Sequence, residues 1–341
     1  MATDWLSGWR AIADDEAAAG RFSGAVLVGR GEERIFARAY GLADRERGIP
    51  NVLSTRFRHA SMSKMFTGVA MGRLIQAGRV DPAAPVGTYL RDYPNLDVAN
   101  KVAIHQLLTH TGGTGDIFVP EYWERREQVR EIADYVALLG EREPEFEPGT
   151  RFGYSSYGFI LLGAVIEAVS GQSYHDYVDE HVFAPAGMTR TGSLPEEPPV
   201  PDLAVGYTEA GPESGLLRPN ADTLLYRGTS AGGGYSTVED LWRFATALTG
   251  HRLLDERHTA LVTSGQGSAG WEGRCAGYGF FEARTWGVRS FGHKGGAPGM
   301  SGELTVYPDS GHVVAVLTNL DPPVGEEASR FLCRRLPIAP R

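Results

Sequence analysis

Two short apolar runs rich in β-forming residues lie near the start of the chain and predict paired strands. Residues 22–41, FSGAVLVGRGEERIFARAYG, contain two β-rich runs on either side of a Gly-Glu-Glu turn, which is typical of a β-hairpin. The preceding residues, 1–20, have the spacing of an amphipathic helix instead. From Met62 to about Gln76 the apolar positions again recur at helical spacing, so we expect a helix there.

The middle of the chain has the pattern of several helices, each of which ends near glycine or proline. A proline-rich loop, LPEEPPVPDL at residues 194–203, follows them. The helical pattern covers residues 102–112, 126–140, 158–171 and 174–188.

The last quarter of the chain returns to strand patterning. Residues 277–296 and 301–319 have the character of strands, with YPDSG at residues 307–311 as a strong turn. A final helix is predicted at residues 326–336.

Strand patterns at both ends and helices between them predict the architecture. We expect an α/β protein of the α+β type, whose antiparallel sheet is built from both chain ends and flanked by helices. Residues 1–62 and 275–341 would form this sheet domain. Residues 63–274 would form a mostly helical second domain, with the active site in the cleft between the two.

Composition excludes several classes of function. The 341 residues carry a net charge of −9, which argues against a nucleic-acid or anionic-membrane partner, and no apolar run is long enough to cross a bilayer. Two cysteines, Cys275 and Cys333, do not make a disulfide framework. The first residues carry acids where a signal peptide needs a basic start. We therefore expect a cytoplasmic protein that acts on a small molecule without a cofactor, and the oligomeric state stays open.

Lysine is rare in this chain, which makes the stretch RHASMSKMFTGVA at residues 58–70 notable. Only three lysines occur among 33 basic residues, and Lys64 follows Ser61 by three positions, which places both side chains on one face of a helix. A serine hydroxyl needs a base to become a nucleophile. A buried lysine can become neutral and serve as that base, whereas arginine does not lose its proton. An S-x-x-K pair alone is a weak signal, but its place at a helix start strengthens it.

Two other stretches carry candidate chemistry. Tyr154 precedes the apolar helix predicted from residue 158, and a phenol near a lysine can have a lowered pKa and shuttle protons. The segment FGHKGGAPGMSG, residues 291–302, contains Lys294 between His293 and two glycines that allow close backbone approach to a ligand. A packed tyrosine and a tight charged turn are the ordinary alternatives for these two stretches.

Taken together and in this order, the stretches resemble the motifs of the serine β-lactamase and penicillin-binding-protein superfamily. The chain is most similar to the class C-like branch, which contains D-alanyl-D-alanine carboxypeptidases, D-aminopeptidases and β-lactamase-like carboxylesterases. The motifs that carry the resemblance are Ser61-Met62-Ser63-Lys64, Tyr154-Ser155-Ser156 and His293-Lys294-Gly295. Similar phrases extend along nearly the whole chain, at residues 107–113 (LLTHTGG), 185–192, 232–244 and 306–319.

The resemblance implies a serine hydrolase of the β-lactamase/transpeptidase-like fold. It implies that Ser61 forms an acyl-enzyme and that Lys64 and Tyr154 transfer protons. The backbone N–H groups of Ser61 and Gly296 would form the oxyanion hole. The remaining implied substrate-binding residues are His293, Lys294, Gly295 and Ser156.

The implied substrate is a small ester or amide, with an acyltransferase or D-amino-acid peptidase on the same site as the alternatives. Ser156 stands where many members of the superfamily carry asparagine. A hydroxyl offers one donor instead of two, which weakens the grip on an amide and favours esters or unusual amides. Lys294 stands where threonine is common, and it would either meet a substrate carboxylate or point into solvent.

A rival nucleophile lies in GTSAGGG, residues 228–234, because Ser230 fits the G-x-S-x-G pattern of α/β-hydrolases. That motif requires a helix directly after the serine, whereas here three glycines follow, so we interpret Ser230 as a structural turn. No metal motif is present; the pairs His175 with His181 and His105 with His110 fit ordinary histidines better. The last alternative is a catalytically silent binding module.

Overall fold

The computed structural model describes residues 4–195, 199–211, 215–271, 273–285 and 287–338. Its strands, in chain order, are β1 (Gly24–Arg30), β2 (Glu33–Tyr40), β3 (Leu42–Asp44), β4 (Ile49–Pro50), β5 (Phe57–Arg58), β6 (Tyr207–Glu209), β7 (Leu217–Pro219), β8 (Tyr235–Ser236), β9 (Gly267–Ser268), β10 (Arg274–Ala276), β11 (Phe281–Thr285), β12 (Val288–Ala297), β13 (Met300–Tyr307) and β14 (His312–Thr318).

The helices of the described residues follow the same order. They are α1 (Asp4–Ala18), α2 (Ser63–Gln76), α3 (Leu96–Lys101), α4 (Ile104–Leu108), α5 (Pro120–Arg125), α6 (Ile132–Leu139), α7 (Ser156–Ser170), α8 (Tyr174–Val178), α9 (Ala184–Ala186), α10 (Val238–Thr249), α11 (Glu256–Thr263) and α12 (Val324–Cys333). Short 3₁₀ turns span Ala60–Met62, Val86–Thr88 and Ala221–Thr223, and a π-helical turn spans Asp179–Phe183.

One large antiparallel sheet joins the two ends of the chain, as the sequence predicts. Its strand order is β2-β1-β14-β13-β12-β11-β10-β9, and β1 pairs with β14 from Gly24 opposite Thr318 to Arg30 opposite His312. This mixed architecture with an antiparallel sheet confirms the predicted fold class. The boundary set at residue 275 falls inside β10, and the division into two domains stays a prediction.

Helices cover both faces of this sheet, which explains why its central strands are almost continuously apolar. On β1, Val26 and Val28 face the layer of α1 and α12, where they pack with Trp9 and Leu332. Leu27 points the other way, into the larger core that contains α2 and α10. Successive side chains of a strand alternate between the faces, so β1 must be apolar at every buried position.

The predicted helices of the middle segment form, but two of them are shorter than their pattern. In residues 126–140 the helix begins only at Ile132, because the Asp134 carboxylate accepts the N–H groups of Arg130 and Glu131 at 2.9 and 2.8 Å and caps the helix there. In residues 102–112 the helix ends at Leu108, and His110 adopts a left-handed φ of 58°. No helix in the described part of the chain combines the length and apolar character needed to span a bilayer.

Candidate active site

Ser61 lies in a strained turn that leads directly into α2. Ala60, in the 3₁₀ turn Ala60–Met62, has a φ of 45°, a left-handed conformation that is unfavourable for a residue with a Cβ. The Ala60 carbonyl accepts the N–H of Gly233 at 3.2 Å, which ties the turn to the 228–234 segment. Ser61 itself is half-buried at the N-terminal end of the helix, where backbone N–H groups lack helical partners.

Lys64 lies one helical turn after Ser61 and is fully buried. Its Nζ is 3.4 Å from the Ser61 Oγ and donates a 2.6 Å hydrogen bond to the Ala231 carbonyl. Burial lowers the pKa of the Lys64 ammonium from 10.5 to about 7, and the negative charge of Asp116 opposes this shift. A large fraction of Lys64 is therefore neutral near neutral pH and available as a base.

Tyr154 lies against the same pair. Its hydroxyl shares a hydrogen bond with Ser61, and its ring lies 4.9 Å from the Lys64 Nζ. The expected lowering of its pKa is wrong: burial raises the pKa of the Tyr154 phenol well above 10. The reason is that Tyr154 is buried among aromatic rings, and the negative charge of Asp116 raises the pKa of the phenol further. Tyr154 therefore stays protonated and can donate a proton.

His293 reaches the site from β12 as a neutral ring. Burial and the nearby Lys64 charge lower the pKa of His293 to about 3. Its Nδ1 pairs with the Lys294 carbonyl, and because a carbonyl only accepts, Nδ1 carries the hydrogen. The buried Nε2 is then a bare acceptor without a hydrogen-bond partner among the described residues. The ring packs 5.1 Å from Phe281 and 6.3 Å from Tyr154.

The side chains of His293 and Lys294 lie on opposite faces of the sheet. Lys294 points away from Ser61, where its half-exposed Nζ lies 3.9 Å from the Glu326 Oε1, so its expected contact with substrate is not supported by the geometry. Alternation along the strand causes this, because His293 takes the opposite face. Gly295 packs directly on the backbone of His59, and a Cβ at this position would overlap the His59 carbonyl. This contact brings β12 against the turn that carries Ser61.

A narrow cleft of about 70 Å³ opens beside Ser61. Gly296 and the buried Ser156 both line it, so these two predicted residues share the cleft with the candidate nucleophile. Its wall is otherwise mainly apolar and includes Ile117, Phe118, Leu194, Leu224, Leu225 and Met300.

Ser230 is not placed as a nucleophile. It is fully buried, its hydroxyl lacks a hydrogen-bond partner among the described residues, and it packs directly against Gly163 of α7. The antiparallel sheet also rules out the α/β-hydrolase fold, which needs a parallel one. The segment nevertheless contributes to the site through its backbone, because the next residue, Ala231, supplies the carbonyl that holds Lys64.

Three residues near the site carry no role in the motif-based prediction: His110, Asp116 and Ala231. His110 lies within LLTHTGG, and Ala231 lies within GTSAGGG, so both stretches stand out in the sequence without revealing these contacts. Asp116 is exposed and acts on Lys64 through its charge. Across the described ranges, no group of three or more histidine, cysteine, aspartate or glutamate side chains is arranged to hold a metal ion.

The arrangement has the parts needed for acyl transfer. A hydroxyl, a base that is largely neutral, and an un-ionised phenol meet beside an apolar cleft. A neutral amine can accept the serine proton, and a phenol can return a proton to a departing group.

Comparisons with known proteins agree with this geometry. The family model described as Beta-lactamase matches residues 9–335. The chain is 32% identical to the esterase EstB of Burkholderia gladioli over 76% of this chain and 74% of that protein. It is 30% identical to penicillin-binding protein 4 of Amycolatopsis lactamdurans, over 82% and 76% of the two chains. The crystal structure of a penicillin-binding protein from Bacillus halodurans superposes with a TM-score of 0.85 and 32% identity, covering 94% of this chain and 98% of that one. With a family match over almost its whole length and an antiparallel sheet built from both ends, the chain belongs to the Beta-lactamase family and is a serine hydrolase of the β-lactamase fold.

Proposed function

We propose that this protein hydrolyses small esters through an acyl-enzyme on Ser61. Neutral Lys64 takes the hydroxyl proton while the Ser61 Oγ forms a bond to the substrate carbonyl carbon. The N–H groups of Ser61 and Gly296 stabilise the oxyanion. As the bond to the leaving group breaks, the Tyr154 hydroxyl gives that group a proton and regains one from the Lys64 ammonium. Water then attacks the acyl carbon and gives a proton to neutral Lys64, the bond to the Ser61 Oγ breaks, and that oxygen takes the proton back as the acid is released.

The observation that carries this proposal is the burial of the Lys64 Nζ within 3.4 Å of the Ser61 Oγ. A purely structural lysine would gain nothing from being desolvated beside a serine hydroxyl, because burial penalises its charged form. A lysine that acts as the base for serine must be desolvated in this way, because only the neutral amine accepts a proton. The distance is loose for a direct transfer, and catalytic hydrogen bonds commonly shorten once substrate is bound.

Three observations support esters with a small acyl group. The cleft beside Ser61 is narrow and mainly apolar. Ser156 presents a single hydroxyl to it, which suits an ester better than an amide. EstB, a relative at 32% identity, is named an esterase. Acyl transfer and D-amino-acid peptidase activity begin with the same acyl-enzyme, and a cytoplasmic location stays a prediction of the sequence.

The first experiment measures turnover of p-nitrophenyl esters with acyl chains from acetyl to decanoyl. We expect short acyl chains to be favoured. Leu225→Ala removes part of the cleft wall and should shift the preference to longer acyl chains. Leu96→Ala, at a residue that is 71% exposed, is the matched control and should leave the preference unchanged.

The second experiment identifies the nucleophile. A fluorophosphonate should add to Ser61, as read by mass spectrometry of the intact and digested protein, and Ser61→Ala should abolish both the adduct and turnover. An adduct on another serine would overturn the proposal, and the lack of any adduct or turnover would favour the silent binding module. D-alanyl amides and added alcohols, assayed in parallel, report peptidase activity and acyl transfer.

A further inference from the structure

His110 lies two residues after the end of α4 and contacts the candidate active site, and no step proposed above uses it. It follows that helix in a left-handed conformation, with a φ of 58°. The His110 carbonyl accepts the N–H of Gly153 at 2.8 Å. Its ring Nδ1 accepts the N–H of Ser155 at 3.1 Å. The backbone on each side of Tyr154 is therefore fastened to the same histidine.

The ring of His110 also packs on the phenol itself. Its centroid lies 4.4 Å from that of Tyr154 at an interplanar angle of 25°. Phe159 of α7 lies 5.0 Å from the same histidine ring, and His110 is only 2% exposed. The Tyr154 ring is thus held by stacking as well as through its backbone, which leaves it few alternative rotamers.

The hydrogen bonds determine the tautomer of His110. A backbone N–H only donates, so Nδ1 must be unprotonated to accept it, and the hydrogen of the neutral ring is on Nε2. Burial, assisted by the positive charge of Lys64, holds the pKa of His110 well below 6.5. The ring therefore stays neutral and keeps its bond to Ser155 across the neutral pH range.

A histidine combines two properties that this position requires. The left-handed backbone is tolerated by histidine, asparagine and aspartate better than by most residues. Accepting an N–H and stacking on a phenol at the same time require an aromatic ring with an acceptor nitrogen. Asparagine retains the acceptor without the ring, and phenylalanine retains the ring without the acceptor, so the two contributions can be separated by substitution.

We propose that His110 is a positioning residue that aims the Tyr154 hydroxyl at the leaving group. The inference rests on the proposed function, in which Tyr154 donates a proton to the leaving group. His110 does not touch the reacting atoms; it acts by restricting Tyr154. Its loss should matter most when the leaving group needs a proton to depart.

The test compares two esters of the same acyl group. A p-nitrophenolate leaves without protonation, whereas an ethoxide does not, so His110→Phe should reduce kcat for the ethyl ester about tenfold more than kcat for the p-nitrophenyl ester. His110→Asn should recover part of this difference, because its amide oxygen can accept the Ser155 N–H. Tyr154→Phe should show the same bias toward the p-nitrophenyl ester, and combining it with His110→Phe should add no further bias.

The control is His251→Asn, a second left-handed histidine with a φ of 57° that follows α10 and does not line the cleft. It should change neither ester, and thermal unfolding of each variant reports its stability. Equal losses on both esters for His110→Phe and His110→Asn, or an additive double variant, would overturn the inference. If His110→Phe does not fold, the His110→Asn comparison decides. Fluorophosphonate labelling of Ser61 in the wild type distinguishes the two proposals. If Ser61 is not labelled, the proposed function is overturned. If Ser61 is labelled but the variants show no leaving-group bias, only the role of His110 is overturned.

Discussion

The buried amine of Lys64 should make both catalysis and stability depend on pH. Burial lowers its pKa from 10.5 to about 7, which at about 1.36 kcal/mol per pKa unit corresponds to about 5 kcal/mol. At pH 7 about half of the molecules then hold a neutral amine, compared with about one in 3,000 for an unperturbed lysine. We expect kcat/KM for a p-nitrophenyl ester to rise about tenfold per pH unit below pH 7 and to level off above it.

The same lowered pKa of Lys64 destabilises the folded chain by an amount that depends on pH. The unfolded lysine keeps its proton up to about pH 10.5, whereas the folded one loses it near pH 7, so the cost is complete below pH 7 and disappears as the pH rises to 10.5. Lys64→Met removes this cost of about 5 kcal/mol but leaves the Ala231 carbonyl unpaired, at about 1–3 kcal/mol. The variant should therefore be inactive, yet more stable than the wild type by about 3 kcal/mol at pH 6, with a gain near zero at pH 9.

Urea unfolding at pH 6 and pH 9 measures the stability change. Ester turnover from pH 5 to pH 10 measures how kcat/KM depends on pH. Lys101→Met, at a half-exposed lysine that pairs with Asp97, is the matched control and should show little dependence on pH. A Lys64→Met variant that is less stable than the wild type at pH 6, or an activity that levels off only near pH 10, would refute a desolvated Lys64.

Other substitutions test neighbouring parts of the site. Ser230→Ala should preserve most turnover, because its hydroxyl is buried away from the cleft; loss of activity comparable to that of a nucleophile variant would contradict this. Gly295→Ala should reduce turnover about tenfold or more, because its Cβ would overlap the His59 carbonyl in the turn that carries Ser61. Gly267→Ala, whose Cβ would meet no atom within 4 Å, is its control, and equal effects of the two would argue against close packing. Asp116→Asn should move the acid limb of kcat/KM to lower pH, since this carboxylate raises the pKa of Lys64; an unchanged limb would rule out that coupling.

Local patterns in the sequence anticipated much of the fold. The strand-like runs at residues 22–41 and 301–319 became β1, β2, β13 and β14, and the run from Met62 to Gln76 became α2. Where the patterns overreached, a polar contact shortened the helix, as the Asp134 carboxylate does by fixing the start of α6 at Ile132. A capping contact of this kind decides where the helix starts, and the apolar pattern of the sequence does not show it.

The site was anticipated less evenly. The S-x-x-K spacing places Ser61 and Lys64 together on one helix, which is a local relation. The position of Lys294 depends on which face β12 presents to α2, and a strand reverses its faces with a shift of one residue. The direction of the Tyr154 pKa shift depended on how much aromatic surface encloses the phenol, which no single segment specifies.

By itself, the sequence determined most of the longer elements, the pairing of a rare lysine with a serine, and the order of the three motifs, because these follow from spacing along one chain. Only the tertiary structure decided that Lys64 is buried against the Ala231 carbonyl and that His110 fastens both sides of Tyr154. It also decided that Ser230 contributes to the site only through the backbone of its neighbour. The physical reason is that desolvation and hydrogen-bond geometry are set by atoms from distant segments, which meet only once the chain has folded.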